Sequence, residues 1–93
     1  MKQLIVIFEF KDANDLSKLI TFKDMLRKYG SYAFVTGGSC IIWTDDTAVM
    51  VRDNLKSGIG IGDKIFVGEI KAPAAWVTSV SQEVTDYLQK NLK

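Results

Sequence analysis

Leu4, Ile5, Val6, Ile7 and Phe8 form an unbroken apolar run, extended by Glu9 and Phe10. β-Branched side chains dominate it, so it predicts a strand buried on both faces and therefore central in a sheet. Residues 11–15 then read as a polar turn with several N-cap candidates. From there Leu16, Leu19, Ile20, Lys23, Leu26 and Tyr29 recur at helical spacing, with Phe22 flanking the stripe. The stem of Lys23 can lie along an apolar face, and Gly30 stands where a helix stop belongs. One helix over residues 14–29 is expected. A short β-rich run at 32–35 leads to Gly37 and Gly38, which can supply the positive φ angles of a tight hairpin. The strand returns at 40–43. Thr44, Asp45 and Asp46 offer caps to a second helix, whose apolar positions are Ala48, Val51 and Leu55 and which Gly58 closes. A fourth strand is expected at 64–70, ended by Pro73. Residues 74–77 read as a short extra strand or an extended segment. Ser79 with Gln82 has the form of a capping box. Val80, Val84, Tyr87, Leu88 and Leu92 mark one face of a terminal helix.

The predicted order is β-α-β-β-α-β followed by a C-terminal helix. This is the ferredoxin-like α+β order, an antiparallel sheet with two helices on one face, here with an extension over residues 74–93. Right-handed crossovers place the first and third strands in the centre. Taken as parallel neighbours, those strands would bring Glu9, Asp12 and Asp45 to one edge. The sheet face left open carries alternate Ile, Phe, Val and Trp side chains, which calls for a second copy packed face to face or joined at the sheet edge by residues 74–77; the terminal helix should dock on its own domain or across that dimer.

Composition narrows the function classes. Ninety-three residues make one domain, and 47% apolar with 25% charged residues is ordinary globular composition. The net charge of +1 does not indicate a strongly basic nucleic-acid binder, though it leaves room for a local patch. No His is present, which removes the commonest general base and zinc ligand. Cys40, the single cysteine, excludes an intramolecular disulfide and lacks a His to activate it as a nucleophile. No apolar run reaches the ~20 residues of a spanning helix, and the N-terminal stretch lacks a signal-peptide cleavage site. A cytoplasmic protein with no membrane contact is expected.

Few residues carry candidate chemistry. Glu9 is a carboxylate following an apolar strand run. It reads either as a Mg²⁺ ligand, or as a strand-end residue that reaches solvent or pairs with a Lys. Asp12, Asp15, Asp45 and Asp46 sit where helix caps belong. The glycines at 58, 60 and 62 follow a helix and precede a strand, so they read as a connection and not as a phosphate loop. Lys18, Lys23, Arg27 and Lys28 give the first helix a diffuse basic field that could touch nucleic acid weakly and with strong salt dependence. Tyr32, Phe34 and Trp43 would add a stacking surface if they shared the open sheet face.

Three stretches resemble the SinR-type relatives of the CRISPR-associated protein two family. Residues 4–9 resemble that family's first strand, which ends in an acid. Residues 46–55 resemble its second helix. Residues 62–70, then Ala75-Trp76, then a helix ending Tyr87-Leu88-Gln89-Lys90-Asn91-Leu92, resemble its C-terminal half. The resemblance implies a homodimer in which each subunit brings a strand-end aspartate to a shared divalent-metal site. In this chain the matching position is Glu9, one methylene longer. The hairpin that in relatives carries an acid or imidazole near a Ser is here Thr36-Gly37-Gly38-Ser39, keeping only the Ser39 hydroxyl. Three functions follow as expectations. The first is a homodimeric, non-catalytic binding or scaffold protein without a cofactor, contacting nucleic acid. The second is a Mg²⁺- or Mn²⁺-dependent endonuclease with Glu9 at the dimer axis and Ser39 beside it. The third is a small, phage-encoded type of regulatory module that sequesters a nucleotide or a protein partner.

Overall fold

Alternating side chains settle into a sheet whose two faces are covered by different helices. The computed structural model describes residues 1–72, 74–76 and 81–93. Its elements are β1 (Lys2–Glu9), α1 (Leu16–Arg27), β2 (Tyr32–Thr36), β3 (Ser39–Thr44), α2 (Ala48–Leu55) with a 3-10 turn at Lys56–Gly58, β4 (Lys64–Glu69) and α3 (Gln82–Asn91). The four strands form one antiparallel sheet in the order β2-β3-β1-β4. An α+β chain with this sheet is compatible with the ferredoxin-like expectation.

β1 and β3 are central, as the apolar runs predict, but they run antiparallel and not in parallel. Lys2 lies opposite Thr44, and Ile7 opposite Ser39. Antiparallel pairing sends the end of β1 and the end of β3 to opposite ends of the sheet. Glu9 and Asp45 therefore do not converge, and the expected cluster of Glu9, Asp12 and Asp45 does not form.

One face is the main core. Leu4, Val6 and Phe8 of β1 pack with Cys40 and Ile42 of β3, Phe22 and Leu26 of α1, and Val51 and Leu55 of α2. On α1 Phe22 and Leu26 are buried, with Leu19 and, just past the helix, Tyr29 half-buried against the same core, while Leu16 and Ile20 are exposed. At about 100° per residue, Leu16 and Ile20 lie a quarter-turn or more from the Phe22–Leu26 line. Phe22 has the larger area to bury, so it displaces the Leu16–Ile20 edge of the predicted stripe.

The second face is not left open. Leu88 of α3 packs on Ala33, Ile41 and Trp43, with Ile5, Val35, Ile70, Trp76, Val84, Tyr87 and Leu92 around it. The terminal helix thus docks on its own sheet. Its N-cap is Ser81, whose hydroxyl accepts from the Val84 N–H. The expected cap at Ser79, with Val80, Val77 and the Pro73 stop, lies outside the described residues. Ala74, Ala75 and Trp76 form no strand.

Other termini differ from expectation in detail. Asp15 caps α1 by accepting from the Lys18 N–H at 3.1 Å. Thr47, and not Thr44, Asp45 or Asp46, caps α2. Gly30 does end the first helical segment with φ +85°. Gly37 and Gly38 do not take positive φ. Instead Gly38 is needed for close approach: a Cβ there would stand 2.7 Å from the Phe8 carbonyl oxygen, and the Gly38 carbonyl accepts from the Phe8 N–H at 2.8 Å.

Candidate functional site

Glu9 is the last residue of β1, opposite Lys64 of the edge strand β4. Its carboxylate is 75% exposed and sits 3.6 Å from the Lys64 ammonium. Of the two readings of Glu9, this geometry is that of a solvated strand end paired with a Lys. Ser39 shares its sheet face, since Ser39 and Phe66 both lie opposite Ile7 on its two sides. The Ser39 hydroxyl is buried and pairs with Thr36 Oγ1 at 2.6 Å, and Thr36 Oγ1 also accepts from the Gly38 N–H. It closes the hairpin and has no base beside it.

Beyond the reach of α3, this end of the face leaves Ile7 47% and Phe66 60% exposed. The Phe66 ring lies over Gly68, where a Cβ would meet Cε1 at 2.9 Å. Two apolar side chains flanked by a carboxylate and an ammonium thus make a small amphipathic patch.

The divalent metal that the resemblance implies does not fit the donors of one chain here. Glu9 offers a single carboxylate, and a Lys already stands against it. Among the described residues, no group of three His, Cys, Asp or Glu side chains is clustered to hold a metal ion. Asp45 lies at the far end of the sheet, beside the first residues of β1, where Lys2 Nζ donates to its carbonyl oxygen at 3.1 Å. Asp12 Oδ1 accepts from the Asn14 N–H and shapes the turn before α1.

The basic face of α1 is divided among local partners. Lys18 forms an ion pair with Asp63 and stands 5.4 Å from the centre of the Phe10 ring. Lys23 and Arg27 share the Phe34 ring, at 5.4 and 5.2 Å, and Arg27 also pairs with Asp24 at 2.8 Å. Lys28, the residue capping the C-terminus of the helix, is exposed. Lys23 and Arg27 are therefore brought together, while Lys18 is turned away into a structural pair. The aromatic surface is divided too. Tyr32 and Phe34 pack beneath α1, whereas Trp43 lies on the other face against Tyr87 and α3. They offer no common stacking plane.

Two residues that the sequence did not single out carry the best-built polar geometry. Asp63, with its side chain 2% exposed, accepts from the Gly60 N–H at 2.8 Å and the Lys11 N–H at 2.9 Å, and meets Lys18. The Lys18 hydrogen bond first, then the two backbone N–H groups, hold its pKa down to about 2. Gln3, buried on the second face, accepts from Trp43 Nε1 at 3.2 Å and donates to the Ile70 carbonyl at 3.2 Å. It also exchanges hydrogen bonds in both directions with the backbone of Lys93. A Gly-Asp pair before a strand was the one available signal for Asp63; Gln3 gave none, since it precedes the apolar run that begins at Leu4. Cys40 is buried in the main core, and desolvation pushes its thiol up to about 12, which keeps it protonated and unreactive.

No protein-family model and no curated protein matches the chain.

Proposed function

We propose that this chain is a non-catalytic binding or scaffold module of ferredoxin-like topology, related to the CRISPR-associated protein two family, that works as a homodimer. The observation that carries the proposal is the uncovered end of the second sheet face, where Ile7 and Phe66 are exposed beside the Glu9–Lys64 pair. A second copy suits this patch because its charges are self-complementary. A two-fold axis through it would place Glu9 against the partner's Lys64 and Lys64 against the partner's Glu9, with the apolar pair between them. The exposed edge of β4 lies alongside and can extend the contact. Strand-end carboxylates brought to a two-fold axis with lysines beside them favour assembly over metal capture.

Sedimentation equilibrium tests the reading. A dimer is expected at high micromolar concentration, and Phe66→Glu should shift it to monomer without changing the circular dichroism spectrum, since Phe66 is 60% exposed. Monomer alone at high micromolar concentration in the unsubstituted protein rejects it.

A further inference from the structure

The opposite end of the sheet holds a second feature, which does not rest on dimerisation. An open cleft of about 570 Å³ lies where β1 begins and β4 ends, beneath the end of α3. Sites for small organic ligands span roughly 300–1,000 Å³. The inner wall is Trp43, backed by Tyr87 at 5.5 Å, with Gln3 and Ile70 beside it. The Gln3 amide is saturated by Trp43, Ile70 and Lys93, so this wall is fixed in place before any ligand arrives. The side chains of the rim are mainly cationic: Lys2, Lys71 and Lys93 stand there against Glu69, and the Met1 ammonium, also in the lining, stands 3.8 Å from Asp45 Oδ1. Lys2 donates to a neutral carbonyl, that of Asp45, so its charge is not cancelled by that bond. Asn91 spends Nδ2 on the Tyr87 carbonyl at 2.9 Å, which leaves Oδ1 as the atom able to accept from an amine in the cleft.

We propose that this cleft binds a 5′-nucleotide, either free or as the 5′-phosphorylated end of a strand. Three side-chain ammonium groups against one side-chain carboxylate favour a multiply charged anion, and lysines serve phosphate as point charges. The volume is larger than a bare phosphate needs, and the edge of the Trp43 indole, 8% exposed, with Ile70 beside it, gives the base an apolar wall to lie against. Phosphate binds at the lysine rim, and the base lies toward Trp43 and Asn91.

The test is titration with AMP, CMP, inorganic phosphate, and a tetranucleotide carrying either a 5′-phosphate or a 5′-hydroxyl. Binding is read by calorimetry on the unmodified protein. It is also read by fluorescence in a Trp76→Phe background, where Trp43 is the remaining indole of the chain's two Trp residues. Saturable heat and a Trp43 signal are expected with at least one phosphorylated nucleotide probe. Lys71→Glu combined with Lys93→Glu, both exposed side chains, should weaken that binding about tenfold or more. Tighter binding of AMP or CMP assigns free nucleotides as the source; tighter binding of the 5′-phosphorylated tetranucleotide assigns strand ends. Three results overturn the proposal: no saturable binding of any nucleotide probe at millimolar concentration, affinity unchanged by the double charge reversal, or inorganic phosphate binding as tightly as AMP.

Discussion

At the scale of single residues, Asp63 is the most strongly held group. Its carboxylate ties the loop before β4 to the backbone of Lys11 and to Lys18 of α1. An unfolded aspartate titrates near ~3.9. The folded carboxylate, held at about 2, stays charged two pH units lower. The folded state therefore binds fewer protons than the unfolded state between those values. Its stabilising contribution is complete above about pH 4 and is lost as pH falls toward 2. Urea denaturation across that range should show falling stability, and Asp63→Asn should be less stable at pH 6 with a flatter acid limb. An acid limb unchanged by the substitution would mean that other carboxylates carry it. Little of this was legible locally: of the partners of Asp63 only Gly60 is near it in sequence; Lys11 and Lys18 are distant, and the fold alone brings them to it. Glu9 was easier: a carboxylate ending an apolar strand must reach solvent or a cation, and it does both.

Elements were more legible than their relations. Every strand and helix among the described residues falls within a residue or two of the expected run, because period and turn residues fix them locally. What the pattern could not resolve was competition among apolar side chains on one helix, where Phe22 took the core place expected for Leu16 and Ile20. Nor does it fix strand direction: β1 and β3 pair antiparallel, which separates Glu9 from Asp45. The terminal helix shows the same division. Its apolar face was plain in Tyr87, Leu88 and Leu92, but whether it lay on its own sheet or on another copy's depended on tertiary geometry. A helix of ten residues has little stability alone, so packing on Ala33, Ile41 and Trp43 must supply it. Leu88→Ala, at a side chain 2% exposed, should cost about 2–4 kcal/mol and expose Trp43, shifting its emission to longer wavelength. Unchanged stability would place α3 off the sheet in solution.

For the whole molecule, the arrangement separates two ends of one sheet: the Glu9 end, with its exposed apolar pair, and the lysine-rimmed cleft around Trp43. The nuclease chemistry that the resemblance implies would have to operate at the first. Metal-assisted phosphodiester cleavage needs carboxylates that hold the ion and a group that orients the attacking water. Each chain brings one carboxylate there, paired with Lys64, and a Ser39 hydroxyl already bonded to Thr36. Two copies of Glu9 meeting across an axis would repel unless a cation lay between them. The lysines beside them compete for that role without supplying an electrophile. Incubating labelled single- and double-stranded RNA and DNA with the protein in Mg²⁺ or Mn²⁺ should therefore give no cleavage above a no-protein control. The Glu9→Ala protein should behave identically in that assay and should self-associate more weakly if the proposed two-fold contact uses its charge. Metal-dependent cleavage by the unsubstituted protein that disappears in Glu9→Ala would reverse this assignment and make Glu9 a metal ligand at the dimer axis.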